Sequence, residues 1–400
     1  MKNRGLSKYR LKDLSRTLEA HVEHKSMPGL VALVQRDADT YLESFGTLAF
    51  DSAAPMKSDS IFRIASLTKI VSAVAAMMLI EDCRMRLGDP IQRWIPELAN
   101  RRVLRAMDSA LDDTVPAARP ITVRDVLTYT TGFGSVMAMP GTFPIQAAIS
   151  DQQIGCDGPP HPLQDPSTEE WIERFAALPL MAQPGQKWLY QTSADVLGIL
   201  IERVSGVQLG EFFKERIFSP LGMRDTGFFV PAEKIDRLVT CYALDPKSQS
   251  LAVHDDRAAS QWRAAPPREQ AGGGLVSTID DYAKFSRMLL DSREGGAELI
   301  SRRAIELMTS EQLTPAQRAG SEIFFGDFST WGLGVAVDTA RRETYHTPGR
   351  FGWTGGFGTT SYVDPAERAI GILFTQRAMD SPIPPQVFTD FWTLAYAAIR

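Results

Sequence analysis

Apolar side chains recur at Leu11, Leu14, Leu18 and Val22 with polar residues between them, a spacing that predicts an amphipathic helix over residues 8–24. After Met27-Pro28-Gly29, residues 30–35 form an apolar run that predicts a strand, with residues 40–45 as its hairpin partner across 36–39. Residues 64–82 are apolar nearly all the way round, the pattern of a helix buried in the interior, and Leu87-Gly88-Asp89-Pro90 then breaks the chain. Residues 131–167 hold six prolines and five glycines and show no clear period, which predicts a long functional lid or loop. A helix is expected over 193–205, ended by Gly206 and opened by a capping-box-like Thr192-Ser193-Ala194-Asp195. Another is expected over 280–290, entered from the glycine run Gly272-Gly273-Gly274. Residues 352–363 and 369–376 read as paired strands joined by a turn at 364–368, and 386–399 as a closing helix. Strands near both ends around a helical middle predict an α+β architecture. Its antiparallel sheet flanked by helices is expected from residues 1–84 and 266–400, with an inserted, mainly helical lobe over 85–265.

With 400 residues, 44% hydrophobic and 23% charged, the composition is that of an ordinary globular chain and excludes a disulfide-stapled miniature, a collagen-like repeat and a wholly disordered protein. A net charge of −5 gives no general attraction to nucleic acid or to anionic membrane. The longest apolar run, residues 70–80, has eleven residues, whereas a membrane-spanning helix needs about 20. The basic opening, Met1 to Lys8, is not followed by an apolar stretch of the secretory kind. Cys83, Cys156 and Cys241 are far apart and odd in number, and they read as free thiols in a reducing compartment. The expectation is therefore a soluble, cytoplasmic chain without nucleic-acid or membrane partners, with a homo-oligomer left open.

No G-x-S-x-G elbow, P-loop, H-E-x-x-H or G-x-G-x-x-G is present. The five histidines are scattered, and His21 with His24 reads as a solvated helix face, so neither metal nor cofactor is expected. The nucleophile signature is Ser66-Leu67-Thr68-Lys69, whose i, i+3 spacing stacks serine over lysine on one helix face. At a helix start the free N–H groups favour developing negative charge, and a lysine held against a buried helix loses solvation and can handle protons. Taken alone, S-x-x-K is also what a serine cap and an outward lysine would look like. Tyr190, in Pro184-Gly185-Gln186-Lys187-Trp188-Leu189-Tyr190, is a second proton-handling candidate. Adjacent glycines in Gly352-Trp353-Thr354-Gly355-Gly356-Phe357-Gly358 mark a bulge or a close approach of ligand or backbone, and could supply an oxyanion-binding N–H.

Together and in this order, these motifs resemble the serine β-lactamase and penicillin-binding-protein superfamily, in its class C β-lactamase-like branch. The resemblance spans nearly the whole chain, through Ile61–Lys69, Ile121–Thr128, Pro220–Met223, Gly272–Leu275, Asp280–Tyr282 and Gly352–Pro365. It implies that Ser66 is the acylated serine, Lys69 its lysine and Tyr190 the tyrosine base, with the N–H groups of Ser66 and Gly356 as the oxyanion hole. Two departures bear on substrate. Thr192 stands where β-lactamases of this branch carry asparagine, and Trp353 replaces the lysine that pairs with a β-lactam carboxylate. The combination is similar to the family VIII carboxylesterases. It implies a hydrolase of small, uncharged, short-chain acyl esters, with weak β-lactam hydrolysis as a side activity. The alternatives are a β-lactamase or D-Ala peptidase, or an acyltransferase on the same scaffold. Trp353, Gly355, Phe133, Tyr129 and Thr192 are the expected substrate-binding residues. With the lysine missing, Arg350 or His346 is the expected second cation beside Tyr190, which is expected to share one proton with Lys69.

Overall fold

The computed structural model describes residues 5–155, 160–292 and 299–400. Its first helix, α1 (Lys8–Glu23), starts where the Ser7 hydroxyl accepts from the Arg10 N–H, and it buries Leu14 and Leu18. Strand β1 (Gly29–Arg36) is buried at every position, as a strand covered on both faces must be. Strand β2 (Asp39–Gly46) is largely exposed and forms an edge of the sheet. The buried run is not one helix from residue 64. Ala65–Leu67 is a separate 3-10 turn, and α2 (Thr68–Glu81) follows it, because Ala65 has φ of +44° and cannot continue a right-handed helix.

The segment 131–167 is not without a period either. It contains a helix, Pro144–Asp151, that buries Ile145 and Ile149 four residues apart. Further on lie a helix at Thr168–Ala177, then α3 (Thr192–Ser205), which ends on Gly206 in the left-handed conformation. Thr192 is the first residue of α3 and not its cap. The cap position is Gln191, whose side chain makes no capping bond. A short hairpin pairs Cys241–Leu244 with Leu251–Asp255. Helix α4 (Ile279–Asp291) opens where the Thr278 hydroxyl accepts from the Asp281 N–H.

The remaining strands of the main sheet are β3 (Ser329–Trp331), β4 (Ala336–Asp338), β5 (Phe351–Gly355), β6 (Thr359–Asp364) and β7 (Ala369–Thr375), followed by α5 (Gln386–Ala398). Residues 352–363 thus form two strands instead of one. Gly358, at φ of +86°, turns the chain back on itself, so that Trp353 lies opposite Ser361. The sheet is antiparallel throughout, in the order β2-β1-β7-β6-β5-β4-β3, and β1 joins β7 in a register that sets Leu30 opposite Thr375. Alternation along β1 sends Leu30, Ala32 and Val34 to the α1/α5 side, and Val31 and Leu33 to the side packed by α2 and α4. The architecture is the expected antiparallel sheet flanked by helices. No helix among the described residues is long and apolar enough to cross a membrane. Cys83 and Cys241 are free thiols, and Cys156 lies outside the described residues.

Candidate active site

Ser66 sits in the 3-10 turn ahead of α2, directly after the left-handed Ala65. Backbone strain of this kind costs on the order of 1–3 kcal/mol and persists where neighbours over-determine it. Here they do. Thr68 Oγ1 donates to the Ala65 carbonyl at 2.7 Å and accepts from the Leu275 N–H at 3.2 Å, while Thr359 Oγ1 donates to the Ile64 carbonyl at 3.0 Å. Strand β5 comes so close to the turn that any Cβ on Gly355 would clash with the Ile64 carbonyl and with Thr359 Oγ1. A glycine is therefore what lets β5 lie against the nucleophile turn.

Two side chains meet at Ser66, each held by a further partner. Lys69, 1% exposed, places Nζ 2.9 Å from Ser66 Oγ. Nζ also donates to Gln191 Oε1 at 2.8 Å and to the Gly272 carbonyl. The Tyr190 hydroxyl donates to Ser66 Oγ at 2.9 Å, and the Trp353 indole N–H donates to the Tyr190 oxygen at 2.8 Å. Burial lowers the Lys69 amine to about 7, opposed by the charge of Asp195. That carboxylate is itself held by Arg268 at 3.0 Å, and Arg268 also grips Asp165 at 2.7 Å. Burial pushes Tyr190 up to about 12, against the pull of its bonds to Ser66 and Trp353.

These values bear on the choice of base. With the phenol near 12, a tyrosinate base at pH 7 would be populated in roughly one molecule in 10⁵, whereas an amine near 7 is half neutral without help. Nor does a hydrogen bond join Lys69 to Tyr190 directly. Nζ stands 4.8 Å from the centre of the phenol ring, and the two groups meet through Ser66 Oγ. Neither expected second cation reaches Tyr190. Arg350 pairs with Asp338 at 3.0 Å and lies over the rings of Tyr362 and Trp392, at 3.9 and 4.3 Å. His346 is stacked on Phe328 and lowered by burial to about 4, so it is neutral at pH 7.

The trio opens onto a cleft of about 750 Å³ lined by Ser66, Tyr190, Gln191, Phe324, Trp353 and Gly356 among others. The expected oxyanion donors, Ser66 and Gly356, thus face one space. Trp353 also faces it, but it is not merely an apolar wall, since its N–H is bonded to Tyr190. The other expected wall residues lie elsewhere. Phe133 is fully buried against Phe175, edge-on at 5.0 Å. Tyr129 is buried behind Tyr190, 4.8 Å from Trp331 and stacked on Trp188. Thr192 is buried in the first turn of α3. Gly355 faces the nucleophile turn. Sequence reasoning missed Gln191 and Phe324. Phe324 stands 5.1 Å from the Tyr190 ring and stacks on Trp353 at 6.5 Å. Gln191 adjoined a residue already singled out, but nothing in its identity announces the backbone that turns its side chain inward.

Comparison with known proteins returns a consistent set. The sequence model of the family described as Beta-lactamase matches residues 14–384. An uncharacterized protein of Mycobacterium tuberculosis is 35% identical over 364 residues, covering 88% of this chain and 87% of its own. Esterase EstB of Burkholderia gladioli is 28% identical over 388 residues, covering 93% and 92%. Among solved structures, EstCE1, a hydrolase with promiscuous acyltransferase activity, superposes with a TM-score of 0.78 at 22% identity, covering 97% of this chain and 98% of that one.

Proposed function

The chain belongs to the beta-lactamase family and is a serine hydrolase of esterase type, and from that premise we propose that it cleaves small, uncharged carboxylic esters through an acyl-enzyme on Ser66. The observation that carries the reading is Ser66 Oγ held 2.9 Å from both Lys69 Nζ and the Tyr190 hydroxyl. Neutral Lys69 takes the serine proton as Oγ attacks the ester carbonyl. The phenol O–H, already aimed at Oγ, steadies the growing alkoxide and then protonates the departing alcohol. The lysine ammonium returns its proton to the phenolate through the water that replaces the departed alcohol, and water then repeats the sequence on the acyl-enzyme. The N–H groups of Ser66 and Gly356 hold the oxyanion. The preference for neutral esters rests on Trp353, which stands where a carboxylate-binding lysine would and meets the cleft with its ring.

The test compares p-nitrophenyl butyrate with a chromogenic cephalosporin at pH 8, for wild type and Ser66→Ala. Ester turnover that disappears in the variant, with cephalosporin slower by orders of magnitude, is expected. Comparable cephalosporin turnover would replace the substrate reading with a β-lactamase, and ester turnover persisting in Ser66→Ala would remove the acyl-enzyme. Because the neutral amine is the active form, kcat/KM should rise with pH through a midpoint near 7 and then stay level. A rate that is flat from pH 6 to 9.5 would exclude Lys69 as the base.

A further inference from the structure

We propose that Gln191 is a positioning residue for Lys69: its carboxamide oxygen, together with the Gly272 carbonyl, turns the amine so that its free lone pair faces Ser66. The inference rests on the reading of Lys69 as the base, and it adds a group that no motif of the chain assigns.

Four observations carry it. Gln191 Oε1 accepts from Lys69 Nζ at 2.8 Å. Gln191 occupies the cap position of α3, yet its side chain caps nothing and is directed at the lysine instead. Its backbone, at φ of +83° and ψ of −73°, lies in a region that residues with a Cβ rarely adopt, and it is tied there by the Ala194 N–H donating to its carbonyl at 2.9 Å. Lastly, Gly272 leaves room for the amide: a Cβ at that position would stand 2.8 Å from Gln191 Nε2. A strained backbone and an absent side chain thus both serve one contact.

The count of hydrogen-bond donors gives that contact its meaning. A neutral amine has two N–H groups and one lone pair. With Gln191 Oε1 and the Gly272 carbonyl taking the two donors, the lone pair is left for the third neighbour, Ser66 Oγ. Without the glutamine oxygen the amine is free to rotate, and its lone pair faces the serine only part of the time. The other titratable groups acting on Lys69 among the described residues are Asp195 on α3, already paired with Arg268, and the Tyr190 phenol beneath Nζ. Neither is placed to orient the amine about its terminal bond.

The experiment is the pH dependence of kcat and kcat/KM for p-nitrophenyl butyrate in wild type, Gln191→Glu and Gln191→Met, with Tm and circular dichroism checking the fold. Gln191→Glu sets a carboxylate against Nζ and is expected to move the acid limb up by about one pH unit or more, with the rate recovering at high pH. Gln191→Met keeps the bulk without the acceptor and is expected to lower kcat about tenfold, roughly one lost hydrogen bond, with KM little changed and the limb not raised. A merely structural side chain would not move the limb. Should Gln191→Glu not fold, Gln191→Asn, one methylene too short, is expected to match the Met variant. A wild-type profile with no limb between pH 6 and 8 would overturn the base reading itself. A wild-type limb that stays in place in the Glu variant, with the Met variant within twofold in kcat, would overturn the role of Gln191 alone.

Discussion

An amine that releases its proton near 7 inside the fold and near 10.5 in the unfolded chain makes Lys69 a burden on stability as well as a reagent. Between those pH values the unfolded state binds the additional proton, so this site's contribution to stability falls as pH drops from 10 to 7 and is constant below. Lys69→Met is therefore expected to raise Tm at pH 7, by the equivalent of about 1–4 kcal/mol, to gain less at pH 10, and to abolish ester turnover. Scanning calorimetry at the two pH values checks it, and a gain independent of pH would contradict the low amine. Trp353 raises a second residue-scale question, because it pairs an apolar ring with a directed N–H. Trp353→Phe keeps the ring and loses the bond to the Tyr190 oxygen. A fall in kcat of roughly 5- to 10-fold, with KM for butyrate esters little changed, is the expected result in steady-state kinetics. Larger losses in KM than in kcat would make the tryptophan a binding surface only.

At the scale of elements, the site depends on how closely β5 lies against the turn that carries Ser66. Gly355→Ala puts a methyl group into the Ile64 carbonyl and Thr359, and is expected to cost about 1–3 kcal/mol of stability and to lower kcat at least tenfold by displacing the turn. A thermal melt and a kcat measurement on the same preparation would show both, and a variant with full kcat would mean that the turn tolerates the shift. The elements were unevenly legible in the sequence. Period alone marks α1, β1, α4 and α5, because each buries a regular stripe or a continuous run. The β5–β6 hairpin was unreadable, since its residues are strand formers on both sides of Gly356-Phe357-Gly358 and glycine permits a turn without requiring one. The break between Ala65 and α2 was hidden for a related reason: an alanine gives no warning of a positive φ, which tertiary contacts impose. Ser66, Lys69 and Tyr190 were legible as spaced motifs. The groups that orient them, Gln191 and the indole N–H, were not, because their roles follow from backbone angles and from which strand lies opposite.

For the molecule as a whole, the sheet places β1 between β2 and β7, so that strands from near the two ends of the sequence lie side by side. Helices α1 and α5 cover the same face of that seam, and Leu6 bridges to Ile399 beside them. Ser66 follows soon after β2, but the strand that approaches it, β5, and the strand that locks the sheet, β7, come some 300 residues later. Made at about 5–20 residues per second, the chain passes residue 36 and needs roughly twenty seconds to a minute more to reach Thr375. For that interval β1 has a neighbour on one side only, and its apolar stretch over residues 30–34 is an open edge of the kind that recruits other nascent chains. Synthesis thus exposes the molecule's greatest hazard of misassembly early and withholds its reactivity until late: a half-made chain already owns the nucleophile, yet has neither the strand that shapes it nor the tyrosine's partner that completes it.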